Sequence, residues 1–169
     1  MRIFLIGFMG SGKTHWGKQL ATCLKMPFFD LDEVITSKEK RSVPEIFSES
    51  GEEYFRVQEK NMLETLVDEN ASAVVSCGGG TPCFFNNIEY MKKYGLVVWL
   101  NTNIEVLVSR LLKQRLERPV LKDIKDEELR AFIIKKMNER RMYYELADVT
   151  IDNENDISVS EFAQTILHA

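Results

Sequence analysis

The chain has 169 residues, a length typical of one domain with a sizeable hydrophobic core. Its 22 basic and 26 acidic side chains give a formal net charge of −4, so no overall positive field attracts the chain to nucleic acid or to an anionic membrane. The three cysteines lack the spacing of a zinc site, so we expect reduced thiols and no zinc. No apolar run reaches about 18 residues and no signal peptide is indicated, so we expect a cytoplasmic protein without a membrane span.

Short β-rich apolar runs alternate with longer segments of helical periodicity. This alternation predicts an α/β fold, in which helices cross over between parallel strands. The five predicted strands are IFLIG at Ile3, PFFDLD at Pro27, SAVVSC at Ser72, LVVWL at Leu96 and DVTID at Asp148. The predicted helices span 13–25, 52–69, 83–93, 104–117, 127–146 and 159–168. Since the last strand is short and polar, we expect it at an edge of the sheet.

Three helix starts carry the spacing of a capping box, in which a hydroxyl and a carboxyl group satisfy exposed backbone N–H groups. The pairs are Ser42 with Glu45, Thr102 with Glu105, and Ser158 with Glu161. Each pair predicts the beginning of a helix and supports the division of the chain into these elements.

The first predicted strand leads directly into GFMGSGKT at positions 7–14, which precedes the first predicted helix. The sequence matches G-x-x-x-x-G-K-[ST] in the setting that a phosphate-binding loop (P loop) requires. Glycines let backbone N–H groups face phosphate oxygens, the lysine reaches the outer phosphates, and the threonine hydroxyl binds Mg²⁺. The alternative is a glycine-rich turn with an incidental lysine. The predicted nucleotide contacts are Gly10, Ser11, Gly12, Lys13 and Thr14, with Thr14 also a magnesium ligand.

Acidic residues cluster at the end of the second predicted strand, where FFDLDE contains Asp30, Asp32 and Glu33. The carboxyl end of a strand beside a P loop is where α/β proteins bind ligands, so these residues are candidates for a second magnesium contact. We expect Asp30 and Asp32 to alternate along the strand. The alternative is an ordinary helix start, in which acids complement the helix dipole.

Two stretches interrupt the alternation of strands and helices. Residues 32–60 are long enough for two short helices beside the sheet, and residues at about 112–126 are charged, contain a proline and are predicted to be a mobile loop. No internal repeat or linker divides the chain, so we predict one domain over residues 1–169.

The third predicted strand ends in SCGGG followed by TP. Gly78, Gly79 and Gly80 would let the backbone approach a ligand closely, whereas the competing interpretation is a flexible turn before a helix that starts at Pro82. The position at the carboxyl end of a strand favours a ligand site.

P loops occur in GTPase switches, in ATPase machines and in small-molecule kinases, so the loop alone does not determine function. The chain is small for the large machines, and WLNTNIEV at positions 99–106 lacks the N-K-x-D motif that reads guanine. A kinase of a small acceptor therefore fits best.

Six motifs have the order and spacing found in shikimate kinases: GFMGSGKT, FFDLDE, FRVQEKN, SCGGGTP, ERPVL and ERRMYYELAD. The chain resembles this family over nearly its whole length. The resemblance implies the fold of nucleoside monophosphate kinases, with three layers (α/β/α) and a five-stranded parallel sheet in the order 2-3-1-4-5. It assigns residues 32–60 to a substrate-binding helical insertion and residues at about 112–126 to a lid.

The same resemblance implies that ATP phosphorylates the 3-hydroxyl group of shikimate, with Mg²⁺ as cofactor, on the route to chorismate and aromatic amino acids. Asp30 resembles the aspartate that holds Mg²⁺ through water. Asp32 resembles the aspartate that contacts the acceptor hydroxyl and accepts its proton. Phosphoryl transfer depends mainly on positioning and charge neutralisation, which suits this division.

Arginines complete the site that the resemblance implies. Arg56 resembles the arginine that binds the shikimate carboxylate, with Glu59 as a neighbour that orients it, because a planar guanidinium group matches a carboxylate. Arg140 resembles a second carboxylate-binding arginine because it precedes Tyr144 by four residues. Periodicity alone would place both Arg140 and Arg141 on a solvated helix face, so the choice between them stays open.

In the lid, Arg118 resembles an arginine that closes over the substrate, contacts the nucleotide and neutralises the transferred phosphoryl group. Lys13, Asp32 and Arg118 therefore form the predicted catalytic set. Arg110 is a further candidate contact for the nucleotide. The resemblance also places the glycines at 78–80 in the shikimate pocket.

Two alternative functions remain. A gluconate kinase or another kinase of small hydroxy acids shares the P loop and the fold, and a nucleotide-binding switch would phosphorylate no small acceptor. The context of Arg56, the SCGGG motif and the Arg-Pro pair of the lid favour shikimate. We expect a monomer that binds shikimate and ATP and binds neither nucleic acid nor membranes.

Overall fold

The computed structural model describes residues 1–114, 121, 124–152 and 158–168. The strands are β1 (Arg2–Ile6), β2 (Phe28–Asp30), β3 (Ala73–Ser76), β4 (Leu96–Asn101) and β5 (Val149–Asp152). They form one parallel sheet in the order β2-β3-β1-β4-β5, which confirms the predicted topology. As its short polar sequence predicts, β5 lies at an edge.

Helices connect and cover these strands. They are α1 (Lys13–Leu24), α2 (Leu31–Glu39), α3 (Val43–Glu69), α4 (Asn87–Tyr94), α5 (Ile104–Lys113), α6 (Asp126–Tyr144) and α7 (Val159–Leu167), and a 3₁₀ turn spans Thr81–Cys83. Gly51 interrupts α3 with φ 84° and ψ 168°, so its second part starts at the predicted residue, 52. In the described parts of the chain, every helix is too short or too polar to span a lipid bilayer.

The two faces of β1 pack into two different hydrophobic clusters. Phe4 and Ile6 pack with residues of α2, α3, α4, α5 and α6, whereas Ile3 and Leu5 pack with residues of α1 and α7. A strand that is covered on both faces has a continuous run of apolar residues, which explains the sequence IFLI in β1. The sheet is therefore the middle of the three predicted layers.

The helix predicted from Cys83 is wrong in its start. Cys83 ends the 3₁₀ turn, and α4 begins at Asn87. Between them, Phe85 and Asn86 have φ values of 49° and 57°, which is left-handed backbone that a right-handed helix does not contain. Proline followed by apolar residues was therefore a misleading signal for a continuous helix.

The capping box predicted at Thr102 is also wrong. Asn103 caps α5 instead, because its side chain accepts a hydrogen bond from the backbone N–H of Glu105 at 2.8 Å. Asparagine is as good a cap as threonine and stands one residue closer to the helix. The boxes predicted at Ser42 and Ser158 are both present.

The loops that carry the predicted site follow β1, β2 and β3. Because these strands are parallel and adjacent, their carboxyl ends meet at one edge of the sheet. The connection that follows β1 leads towards the β2 edge of the sheet, whereas the connections that follow β3 and β4 lead towards the β5 edge. Such a reversal of direction is a switch point, which is the usual ligand crevice of an open α/β sheet.

Candidate active site

The P loop has the backbone that its glycines predict. Gly7 adopts φ 141°, and a Cβ atom there would lie 2.7 Å from the carbonyl oxygen of Leu100, so no other residue fits. Gly12 adopts φ 91° at the N-cap of α1 and brings no side chain over the first N–H groups of that helix. The positive end of α1 therefore faces the cavity, an arrangement that suits a phosphate.

Lys13 lies folded against the P loop. Its Nζ donates hydrogen bonds to the carbonyl oxygens of Gly7 and Phe8, both at 2.9 Å, and the side chain is buried. The ammonium group is therefore held beside the backbone N–H groups of the loop. From this position it can neutralise the outer phosphates of a nucleotide.

Thr14 and Asp30 meet at the predicted magnesium position. The Thr14 hydroxyl donates to Asp30 Oδ2 at 2.7 Å. The other carboxylate oxygen of Asp30 caps α2 by accepting from the N–H of Asp32 at 3.1 Å and of Glu33 at 3.5 Å. Asp30 therefore starts a helix, as the alternative interpretation predicts, and also faces the P loop. A hydroxyl and a carboxylate are oxygen donors of the kind Mg²⁺ prefers, so the two residues fit this ion.

Asp32 lies in the first turn of α2 and not in the strand, so the predicted alternation with Asp30 along β2 is wrong. The cause is the Asp30 cap, which ends the strand two residues earlier. Asp32 nevertheless points towards the third strand, because a Cβ atom on Gly78 would lie 3.1 Å from its Oδ1. Among the residues that the structure describes, none donates a hydrogen bond to that buried oxygen.

The environment of Asp32 raises its pKa to about 6. Burial is the main cause, followed by the negative charges of Glu59 and Asp30, which together outweigh the opposite effects of Lys13 and Arg56. A carboxylate with a pKa near the working pH is still ionised at neutrality and accepts a proton more readily than an ordinary aspartate. The geometry therefore suits Asp32 to the role of a general base.

The three consecutive glycines, called the glycine loop below (Gly78–Gly80), each lie against a predicted site residue. A Cβ atom on Gly79 would lie 3.3 Å from Arg140 Nη1, and one on Gly80 would lie 2.7 Å from Arg56 Nη2. The glycine loop is therefore a close-contact surface between functional side chains, which favours the ligand-site interpretation over a flexible turn.

Arg56 is enclosed by charged and aromatic groups and is only 7% exposed. Its Nη1 donates to Glu59 Oε2 at 2.6 Å, and its Cζ lies 4.5 Å from the centroid of the Phe84 ring. Glu59 is fully buried and also accepts a hydrogen bond from the Thr81 hydroxyl at 2.6 Å. Glu59 is thus in position to orient Arg56, the role that the family resemblance implies.

The structure separates the two neighbouring arginines of α6. Arg140 faces the glycine loop and lies over the ring of Phe8 at 5.7 Å. The side chain of Arg141 is 61% exposed, and its Nε donates to Glu145 at 2.7 Å on the surface. The geometry therefore favours Arg140 as the second arginine of the acceptor site.

Three contacts of the site were not predicted from the sequence. They are the Thr81 hydroxyl on Glu59, the Phe84 ring on Arg56, and the Tyr144 hydroxyl, which donates to the carbonyl oxygen of Gly79 at 2.5 Å. The spacing of Tyr144, one helical turn after Arg140, was a usable signal because residues four apart share a helix face. Nothing in the sequence around Phe84 indicated its role.

A cavity of about 530 Å³ lies between the P loop and the glycine loop, within the roughly 300–1,000 Å³ that ligand pockets usually have. Its walls include Lys13, Thr14 and Arg110 on one side and Asp32, Gly78 and Gly79 on the other. Arg110 also donates to the carbonyl oxygen of Gly10 at 3.0 Å, which ties α5 to the P loop. Ser11 is fully buried in the same loop.

The predicted lid falls largely outside the described residues. Arg118 is one of the residues that the structure does not describe, so its predicted catalytic and nucleotide contacts are untested. The bounds of the lid and of the insertion also stay predictions.

Known proteins resemble this chain over nearly its whole length. A family model described as "Shikimate kinase" matches residues 9–169. A shikimate kinase from Parabacteroides distasonis is 44% identical over 160 residues, which cover 95% of this chain and 92% of that protein.

The chain belongs to the shikimate kinase family. Membership of the shikimate kinase family confirms the prediction of an ATP-dependent small-molecule kinase.

Solved structures support the same assignment. Shikimate kinase from Bacteroides thetaiotaomicron has a TM-score of 0.91 and 38% identity, with 99% of this chain and 97% of that chain covered. Shikimate kinase from Acinetobacter baumannii, in complex with shikimate, has a TM-score of 0.84 and 33% identity, with 99% and 90% covered. A gluconokinase from Sinorhizobium meliloti has a TM-score of 0.55 and 16% identity, with 99% and 89% covered, and shares the fold alone. The shikimate kinase family is thus favoured over the gluconate alternative.

Proposed function

We propose that the chain transfers the γ-phosphoryl group of ATP to the 3-hydroxyl group of shikimate, giving shikimate 3-phosphate and ADP. The observation that carries the proposal is the glycine loop, against which Arg56, Arg140 and Asp32 all lie beside the P loop. A hydroxy acid fits this set, because guanidinium groups bind its carboxylate and the aspartate accepts from its hydroxyl group.

Asp32 acts as the general base in this proposal. Its Oδ1 is buried and accepts no hydrogen bond from the residues that the structure describes, so it can receive the acceptor hydroxyl without losing a contact. As phosphoryl transfer begins, the proton of the 3-hydroxyl group passes to this oxygen. The two arginines hold the ring so that the hydroxyl oxygen faces the nucleotide.

The P loop and its lysine hold the nucleotide. Lys13 and the N–H groups at the start of α1 bind the phosphates, and Arg110 lies at the same side of the cavity. Thr14 and Asp30 would hold Mg²⁺, which supplies charge neutralisation at the phosphate oxygens. A role for Arg118 over the transferred phosphoryl group stays a prediction from the family resemblance.

The setting of the reaction is also part of the proposal. The product would enter the synthesis of chorismate and aromatic amino acids. Action in the cytoplasm as a monomer, with no nucleic acid or membrane partner, stays a prediction.

The direct test is acceptor-dependent release of ADP by the purified protein with Mg²⁺ and ATP. We expect kcat/KM for shikimate to exceed that for gluconate by at least about 100-fold, since buried polar groups penalise an acceptor that leaves them unpaired. Phosphorus NMR of the product should show a phosphate ester at the 3-position. Preference for gluconate would support the alternative kinase, and nucleotide binding without acceptor-dependent turnover would support a switch.

Gly80→Ala is expected to weaken acceptor binding through a steric effect alone. The backbone at Gly80 has φ −99°, which alanine adopts freely, but the added Cβ would lie 2.7–2.9 Å from the guanidinium group of Arg56. The added carbon would push the guanidinium group away from the position in which Glu59 and Phe84 hold it. Steady-state kinetics should show KM for shikimate raised by about 10-fold, in line with a loss of about 1.4 kcal/mol, with KM for ATP little changed. An equal rise in both values would show a general distortion of the site.

A further inference from the structure

Packed groups hold Arg56 in position before any acceptor arrives. Glu59 binds Nη1, the Phe84 ring covers one face, and the backbone of Gly80 lies against the end of the guanidinium group. The Arg56 side chain is 9% exposed and that of Glu59 is 1% exposed. The plane of the guanidinium group is therefore set by groups that have little freedom to move.

The Nε–Nη2 edge of Arg56 has a different kind of partner. Glu52 Oε1 accepts from Nε at 3.2 Å and from Nη2 at 3.0 Å, and the Glu52 side chain is 57% exposed. This edge is the fork that matches a carboxylate through two parallel hydrogen bonds. Glu52 uses one oxygen for both bonds, so a carboxylate that used both oxygens would fit the edge better.

We propose that Glu52 is an internal competitor: it occupies on Arg56 the position that the acceptor carboxylate takes, and acceptor binding displaces it. This inference rests on the proposed function. The edge that Glu52 covers is the one held by an exposed, replaceable group, whereas Glu59 is buried and Phe84 is half-buried. Glu52 thereby satisfies the N–H groups of this edge between turnovers, in addition to the buried ion pair with Glu59, and lowers the apparent affinity for the acceptor.

The chain around Glu52 lets its side chain leave. Glu52 is the first residue after the break in α3 at Gly51, and its side chain is 57% exposed. The side chain can therefore turn into solvent without displacing packed groups. In the bound state, Arg56 exchanges one carboxylate for another, so the charge of the site is conserved.

The test compares Glu52→Gln with Glu53→Gln, which removes the same charge from the adjacent exposed residue. Calorimetric titration with shikimate should give a two- to fivefold lower Kd for Glu52→Gln, the range that the usual contribution of an exposed ion pair implies. KM for shikimate should fall in parallel, with KM for ATP unchanged. Glu53→Gln should bind shikimate as the wild type does.

Several results would overturn this inference. Unchanged or weaker shikimate binding by Glu52→Gln would show that Glu52 does not compete, and an equal gain in Glu53→Gln would show general charge repulsion. A crystal structure with shikimate should show the shikimate carboxylate at Nε and Nη2 of Arg56 with Glu52 turned away; retention of Glu52 on Arg56 would exclude the exchange. Failure of the wild type to phosphorylate shikimate would instead refute the proposed function, so the two failures are distinguishable.

Discussion

Replacing Asp32 with asparagine is expected to lower kcat by about 10²–10⁴-fold and to make the folded protein more stable at neutral pH. Asparagine keeps the size of the side chain but cannot accept the proton of the acceptor hydroxyl. Lys13 and Thr14, the proposed nucleotide contacts, are held by hydrogen bonds to the P loop and to Asp30, so the affinity for ATP should change little. Loss of activity together with a gain in stability is typical of the replacement of a functional group, here a buried ionised carboxylate, that destabilises the folded protein.

The gain in stability follows from the pKa of Asp32. Burial, then repulsion from Glu59 and Asp30, raises this pKa from 3.8 to about 6 in the folded protein. The folded state therefore binds the proton more tightly than the unfolded state, and ionised Asp32 costs stability of about 1–3 kcal/mol at pH 7. The cost is absent below about pH 4, grows as the pH rises from 4 to 6, and is complete above pH 6.

Urea unfolding at several pH values measures this effect. The difference in unfolding free energy between Asp32→Asn and the wild type should be near zero at pH 4 and should reach its maximum above pH 6. In the wild type, kcat/KM should fall about tenfold per pH unit below about pH 6, because protonated Asp32 cannot act as a base.

Glu33→Gln is the matched control, since Glu33 is exposed in the same turn of α2. Its turnover should equal that of the wild type, and it should not gain stability at neutral pH, because its negative charge lies at the favourable N-terminus of α2. Unchanged turnover of Asp32→Asn would show that Asp32 is not the base. A lower stability of that variant at pH 7 would contradict the cost assigned to the buried charge.

Replacing Arg56 with alanine is expected to raise KM for shikimate by about 10–100-fold, with little change in KM for ATP. Hydrogen bonds to a charged partner contribute about 1.5–3 kcal/mol, which corresponds to this range. The same change leaves the buried carboxylate of Glu59 without its cationic partner, and breaking a buried ion pair typically costs about 3–5 kcal/mol. Kinetics and urea unfolding therefore report on two separate consequences of one substitution.

A double variant separates binding from folding. Arg56→Met with Glu59→Gln removes both charges, so it should recover much of the lost stability while KM for shikimate stays high. Arg141→Ala is a control for arginine loss, because that side chain is exposed and paired with Glu145 at the surface. It should leave both KM values unchanged. Equal increases in KM for shikimate and ATP in Arg56→Ala would contradict the assigned role.

The orientation of the two neighbouring arginines on α6 could not be predicted from the sequence. The sequence places Arg140 and Arg141 side by side, and neighbouring residues on a helix point in directions about 100° apart. Only the packing of α6 against the glycine loop decides that Arg140 faces the site and Arg141 faces solvent. Spacing along the chain contains no information on which face a neighbouring segment will cover.

The sequence by itself determined the α/β class, the P loop and, through its family motifs, the strand order and a set of candidate residues for the acceptor site. These features depend on local periodicity, on single glycines that allow a particular backbone conformation and on spacing within short motifs. All of these signals lie within short stretches of the sequence. The tertiary structure decided the helical position of Asp32 and its raised pKa, the aromatic cover that Phe84 gives to Arg56, and the contact of Glu52 with the acceptor edge. Except for the contact between Glu52 and Arg56, which lie one helical turn apart, these features arise from groups that different segments bring together. Burial, charge repulsion and competition for one guanidinium edge depend on distances in space.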